Sequence, residues 1–109
     1  MPITQPREWF ETELPAAVQA DPKKIENFTG TLLFQINGDQ GGTWTLDIRD
    51  QKMNIKAEAA ATPDITVTMK DADFVNFINK KLSGQMAFMT GKLKVKGNMQ
   101  LAMKLNGLL

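Results

Sequence analysis

The chain has 109 residues, a formal net charge of +1, and 42% hydrophobic against 23% charged residues, which suits one globular domain over residues 1–109 with a core of its own. Cysteine and histidine are absent, which excludes disulfides, thiolate chemistry and Cys- or His-based metal sites, so no metal or cofactor is expected. The near-neutral charge gives no electrostatic case for nucleic acid, and no apolar run approaches the roughly 20 residues that span a bilayer.

Met1 to Phe10 has no basic stretch followed by an apolar one, so no secretion signal is expected and the default location is the cytosol. The first quarter reads as helical: Pro6 suits a first turn, and Trp9, Phe10, Leu14, Ala17 and Val18 form an approximate helical stripe. Pro15 is expected to kink or divide that segment, because it has no N–H to donate and its ring crowds the carbonyl four residues back. Asp21-Pro22 pairs an N-cap with a first-turn proline and predicts a short helix to about Phe28.

The apolar period then drops to two. Leu32, Phe34 and Ile36 alternate along one run, Trp44, Leu46 and Ile48 along a second, Met53, Ile55 and Ala57 along a third, and Ile65, Val67 and Met69 along a fourth. Turn residues from Asn37 to Gly42, and at Asp50-Gln51, separate the first three runs and predict an antiparallel meander with one wet face. Asp71 is expected to cap a helix carrying Phe74, Phe77, Ile78 and Leu82 on one side. Ser83 is expected to cap a shorter helix through Met89, closed by Gly91. Lys92 to Lys96 alternates strictly and predicts a fifth strand, broken by Gly97, and a last helix runs from about Asn98 to Leu108. Lys92, Lys94 and Lys96 would share the solvent face of that strand. They read first as an edge guarded against aggregation and second as a basic patch for anionic headgroups or the phosphates of an acyl carrier.

The catalytic toolkit is poor, and no enzyme is expected. Tyrosine is absent along with histidine and cysteine, and the sole serine, Ser83, has no activating partner beside it. Asp71 and Asp73 at a helix start are explained by the helix dipole. The stretch Gly38 to Gly42 lacks the Lys-Ser/Thr of a phosphate-binding loop and does not open a helix.

The informative part lies toward the carboxyl end. Met86, Met89, Met99 and Met103 cluster there, and methionine fits adaptable apolar surfaces. In the last helix Leu101, Leu105 and Leu108 fall on one face while Met99, Ala102 and Met103 cover another. A surface helix needs one apolar stripe. The second must be buried by more protein, by a partner subunit or by an apolar ligand. A ligand pocket between helices and sheet would be lined by Phe77, Ile78, Met86, Phe88, Met89, Met99, Met103 and Leu105, with Phe34, Trp44, Leu46 and Ile55 from the strands. Its occupant would be a lipid or fatty-acyl chain, loaded through transient contact with a membrane surface. The alternative is an interaction module, in which Leu101, Leu105 and Leu108 dock a partner or form a homodimer.

Several strings carry a family likeness. Pro63 to Met69 (PDITVTM), Asp71 to Phe74 (DADF), Lys81 to Asn98 (KLSGQMAFMTGKLKVKGN) and Leu101 to Leu105 (LAMKL) closely resemble the sterol carrier protein 2 family, with Phe34-Gln35-Ile36 and Trp44 to Ile48 also fitting. The resemblance implies an α+β fold: a five-stranded mixed sheet, its first three strands an antiparallel meander, with helices over one face and a hydrophobic tunnel. It further implies broad binding of sterols, fatty acids, fatty acyl-CoA or phospholipids. The chain ends Gly107-Leu108-Leu109 rather than in a Ser-Lys-Leu type signal, so peroxisomal delivery is not expected, and it resembles stand-alone bacterial members.

Overall fold

The alternating runs form one sheet in a computed structural model that describes residues 3–26 and 28–108, with side chains described through Lys104. Strands β1 (Gly30–Asn37), β2 (Gly42–Arg49), β3 (Lys52–Lys56), β4 (Ile65–Lys70) and β5 (Lys94–Gly97) lie in the order β3-β2-β1-β4-β5. The first three make the antiparallel meander, with Phe34 opposite Trp44 and Leu46 opposite Ile55. Asp50 and Gln51 both take positive φ, 51° and 63°, as a tight two-residue hairpin turn requires. β4 returns on the far side of β1 and runs parallel to it, placing Val67 beside Phe34. β5 closes the edge antiparallel to β4, with Val95 opposite Val67. The sheet is therefore mixed, as the family likeness implies.

One sheet face is buried, by Leu32, Phe34, Ile36, Trp44, Leu46, Ile48, Ile65, Val67 and Met69. The other face is wetter, but Leu33 and its cross-strand partner Thr45 are buried on it. Thr45 Oγ1 donates to the Glu58 carbonyl at 2.6 Å and accepts the Ala60 N–H at 3.0 Å, which ties down the connection from β3 to β4.

The amino-terminal segment covers the β1–β2 part of the inner face. It comprises α1 (Pro6–Glu8), a π-helical turn Trp9–Glu13 and α2 (Leu14–Ala20). The Leu14 N–H reaches back five residues to the Trp9 carbonyl, just ahead of Pro15. This wider turn shifts the hydrogen-bond register where proline would otherwise collide with it. Phe10 lies flat against Trp44 at 4.5 Å and against Phe74 at 5.3 Å between ring centroids, and meets Phe34 edge-on at 5.1 Å.

Several local expectations are corrected. The helix expected to reach Phe28 is a single 3-10 turn, Pro22–Ile25, after which Glu26 is already extended. Asp21 does cap it, accepting the Lys23 N–H at 3.3 Å. Asp71 is not the cap of α3 (Asp71–Ile78) but its first residue, and Lys70 holds the cap position. The Asp71 carboxylate instead accepts the Gln40 N–H at 3.0 Å and the Ala72 N–H at 2.8 Å, joining the β1–β2 turn to the helix. Those bonds favour the charged form, Gln40 first, and hold its pKa below the usual carboxylate value. A carboxyl lowered by folding stabilises above its unfolded pKa of about 4 and loses that contribution as pH falls through its folded value. Asp71→Asn is therefore expected to flatten the acid limb of stability against pH, read as urea midpoints at stepped pH. An unchanged limb would contradict the role.

α3 stops before Leu82, and the Lys81 and Leu82 N–H groups both bond to the Asn76 carbonyl. Ser83 caps α4 (Gly84–Met89) as expected, its Oγ accepting the Met86 N–H at 3.1 Å. The fifth strand begins two residues later than predicted. Lys92 and Leu93 N–H both donate to the Ala87 carbonyl, at 2.8 and 2.9 Å, which keeps them on α4 and off the sheet. Gly97 turns the chain into α5 (Met99–Leu108) at φ 119°, and a Cβ there would strike the Asp64 carbonyl and approach Ile65 Cα at 3.0 Å. Gly97→Ala is expected to cost about 2–3 kcal/mol of stability, checked by denaturant unfolding, through strain plus this collision.

Candidate functional site

The other half of the inner face, over β4 and β5, is covered incompletely. α3, α4 and α5 stand over it and leave an open cleft of about 300 Å3. Phe34, Val67, Met69 and Val95 of the sheet face into the cleft, and Phe74 and Phe77 come from α3. Gly84, Gln85 and Phe88 of α4, Leu93 of the following loop, and Met99, Ala102 and Met103 of α5 complete it. Two small residues keep the space open. Gly84 has no side chain, and a Cβ built there would touch only the Phe77 ring, at 3.3 Å. Ala102 contributes one methyl group.

The two faces of α5 explain its composition. Leu101 turns inward and is buried where a Cβ on Gly30 would meet it at 2.8 Å. Met99 and Met103, one turn apart, stand at the cleft and remain exposed, Met103 at 78%. The floor, by contrast, is closed: Phe34, Val67, Met69 and Phe74 are buried. No charged side chain among the described residues lines the cleft, and Gln85 supplies its polar side chain. Such a lining is chemically suited to apolar matter.

Of the residues predicted to line a pocket, Phe34, Phe77, Phe88, Met99 and Met103 meet here. Trp44 and Leu46 sit one strand farther away, buried in the core, with Trp44 beneath Phe10. Ile55 is half-buried on the edge strand β3. Ile78 borders a neighbouring hollow with Leu82 and Ser83. Met86 and Met89 are exposed outside the lining, Met89 at 71%. The Leu105 side chain lies outside the described residues, as does that of Leu108. Sequence reasoning missed Val67, Met69, Val95, Leu93, Phe74, Gly84 and Ala102. The inward alternation of Val67 and Met69 was readable, but their place under the carboxyl-terminal helices depends on β4 crossing to the far side of β1.

Comparisons with known proteins agree with this geometry. Residues 12–109 match the SCP-2 sterol transfer family. The chain is 45% identical over 78 residues to hydroxysteroid dehydrogenase-like protein 2 of Homo sapiens, which is 71% of this chain and 19% of that protein. It thus spans about a fifth of the length of such curated relatives. The solution structure of sterol carrier protein domain 2 of Helicoverpa armigera is 37% identical, with a TM-score of 0.75 over 88% of this chain and 79% of that one. The solution structure of palmitated SCP2L2 from Aedes aegypti is 29% identical, with a TM-score of 0.74 over 90% of this chain and 88% of that one. With the family match running from residue 12 to the end of the sequence, the chain belongs to the SCP-2 sterol transfer family.

Proposed function

We propose that the chain is a non-catalytic carrier whose cleft takes the aliphatic part of a lipid-like ligand: a fatty acid, fatty acyl-CoA, phospholipid or sterol. The observation that carries this reading is the uncharged, mostly apolar cleft with exposed Phe88, Met99 and Met103 at its edge. Family membership supports it, as does the palmitated state of the Aedes aegypti relative. The long dehydrogenase-like relatives share only this part, so their activity is no part of the proposal.

At about 300 Å3 the cleft is at the small end of ligand sites. It would hold a stretch of chain while the flexible methionines close over the rest. Affinity would come from burial at roughly 25 cal/mol per Å2, which discriminates poorly among ligands of similar width. In this reading Trp44 supports the floor as the cross-strand neighbour of Phe34, while Leu46, Ile55 and Ile78 act only through the surrounding packing. Met86 and Met89 touch a lipid surface transiently during loading. A cytosolic location belongs to the same proposal, and no described helix is long and apolar enough to cross a membrane.

Organic extraction of the purified protein with mass spectrometry, plus displacement of a fluorescent fatty acid, tests the reading. Co-purified lipid and displacement at micromolar ligand are expected. The absence of both signals would contradict the carrier. The docking alternative relies partly on Leu101, which is already buried. A concentration-independent dimer in light scattering would favour that alternative.

A further inference from the structure

Beside the apolar cleft lies a second one with different chemistry. It encloses about 430 Å3 and is bordered by Lys70, Lys92 and Lys94, with Thr68, Asn37 and Asp73. Met69 is common to both linings, at the gap where the β4–β5 ladder ends; Thr68 and Lys94 alternate with the inward Val67 and Val95 and so stand on the wet face of the sheet.

The second cleft follows from the chain path. β5 pairs with β4 only as far as Thr68, opposite Lys94. β4 continues to Lys70 along β1, but the chain before Lys94 is held to α4 by the two bonds to the Ala87 carbonyl. The ladder opens there, and lysines from β4, the loop and β5 surround the gap.

Stability accounts for these cations only in part: Lys70 favours the charged form of its neighbour Asp71. Lys70 occupies the cap position of α3, where the helix dipole disfavours positive charge. Lysine on an edge strand protects against aggregation, which explains Lys94 and Lys96. It does not explain Lys92, which is in a loop; Lys70 lies past the last β4–β5 pair, where β4 is itself an open edge. Among the described residues none of the three makes an ion pair. Three ammonium groups against the carboxylates of Asp73 in the lining and Asp71 beside Lys70 leave a net positive charge.

We propose that this cleft binds the anionic head, carboxylate or phosphate, of an amphiphile whose tail occupies the apolar cleft. The inference rests on the carrier reading and deepens it. Among the described residues the apolar cleft has no cation for such a head, and the neighbouring one, reached through the gap in the ladder, has three. Lys70, Lys92 and Lys94 would donate charge-assisted hydrogen bonds, with Thr68 and Asn37 as neutral donors.

Monomeric dodecyl phosphate and dodecanol, which share one tail, separate the two sites by calorimetric titration. The unaltered protein is expected to prefer the phosphate roughly tenfold, the worth of a charge-assisted hydrogen bond discounted for solvent. The variant Lys70→Gln/Lys92→Gln/Lys94→Gln is expected to lose that preference and keep its affinity for dodecanol, which also shows that it folds. Equal binding of both compounds by the unaltered protein would overturn the proposal, as would a preference that survives in the variant. Inorganic phosphate binding as tightly as dodecyl phosphate would make this a free-anion site and overturn it. So would a variant that keeps the preference but no longer sediments with phosphatidylglycerol vesicles, since the lysines would then serve a membrane surface. Failure of the unaltered protein to bind either dodecyl compound would overturn the carrier reading itself.

Discussion

Gly84→Leu is expected to weaken binding of a fatty-acid probe roughly fiftyfold while leaving the protein at least as stable, because the added side chain displaces about three ligand methylenes worth ~0.8 kcal/mol each. Gly84 opens α4 and lines the cleft. Among the described residues its first added carbon would meet only the Phe77 ring, at 3.3 and 3.8 Å, and a longer side chain is expected to fill part of the cleft that Gly84 lines. Leucine is also the better helix former, by about 0.8 kcal/mol over glycine. Tighter packing and weaker binding are thus expected from one substitution, read by probe fluorescence and by urea unfolding. Unchanged affinity in a folded variant would place the ligand elsewhere.

Phe10→Ala is expected to cost about 4 kcal/mol of stability, at the high end for a core substitution. Phe10 is fully buried and its ring contacts Trp9, Phe34, Trp44 and Phe74. Its removal leaves a ring-sized void among large, rigid neighbours that collapse poorly. Chemical unfolding followed by tryptophan fluorescence measures the loss, since Trp44 stacks on Phe10. A loss below about 1 kcal/mol would show that the cluster repacks. Phe10 does not itself line the cleft, but it packs against Phe34 and Phe74 of the cleft floor, so a weaker probe affinity is expected alongside the loss of stability.

The strands were legible because period-two alternation and turn residues act locally: Phe34, Trp44, Leu46 and Val67 all point inward as the pattern requires. The crossing of β4 to the far side of β1 left no local signal, and it is this crossing that puts Val67 and Met69 beneath the helices. Trp44 shows the cost of that gap. It shares the inner face with Phe34, but Phe10 covers it, and the irregular helical turn Trp9–Glu13 gave no warning of that cover. Exposure was also hard to read. Met86, Met99 and Met103 look alike in sequence, yet only the latter two line the cleft, because the side on which a short helix docks is decided by its neighbours. The excess of apolar surface on α5 was legible, since Met99 and Ala102 cannot share a stripe with Leu101.

Selective methyl labelling of methionine, with palmitate as the added ligand, tests the proposed site most directly. Met69, Met99 and Met103 line the cleft, while Met53 lies on the edge strand β3. Magnetisation transfer from palmitate methylenes to the methyl groups of Met69, Met99 and Met103, with Met53 silent, is the predicted result. Transfer confined to Met86 and Met89, or absent at saturating palmitate, would contradict a ligand held between the β4–β5 half of the sheet and the carboxyl-terminal helices.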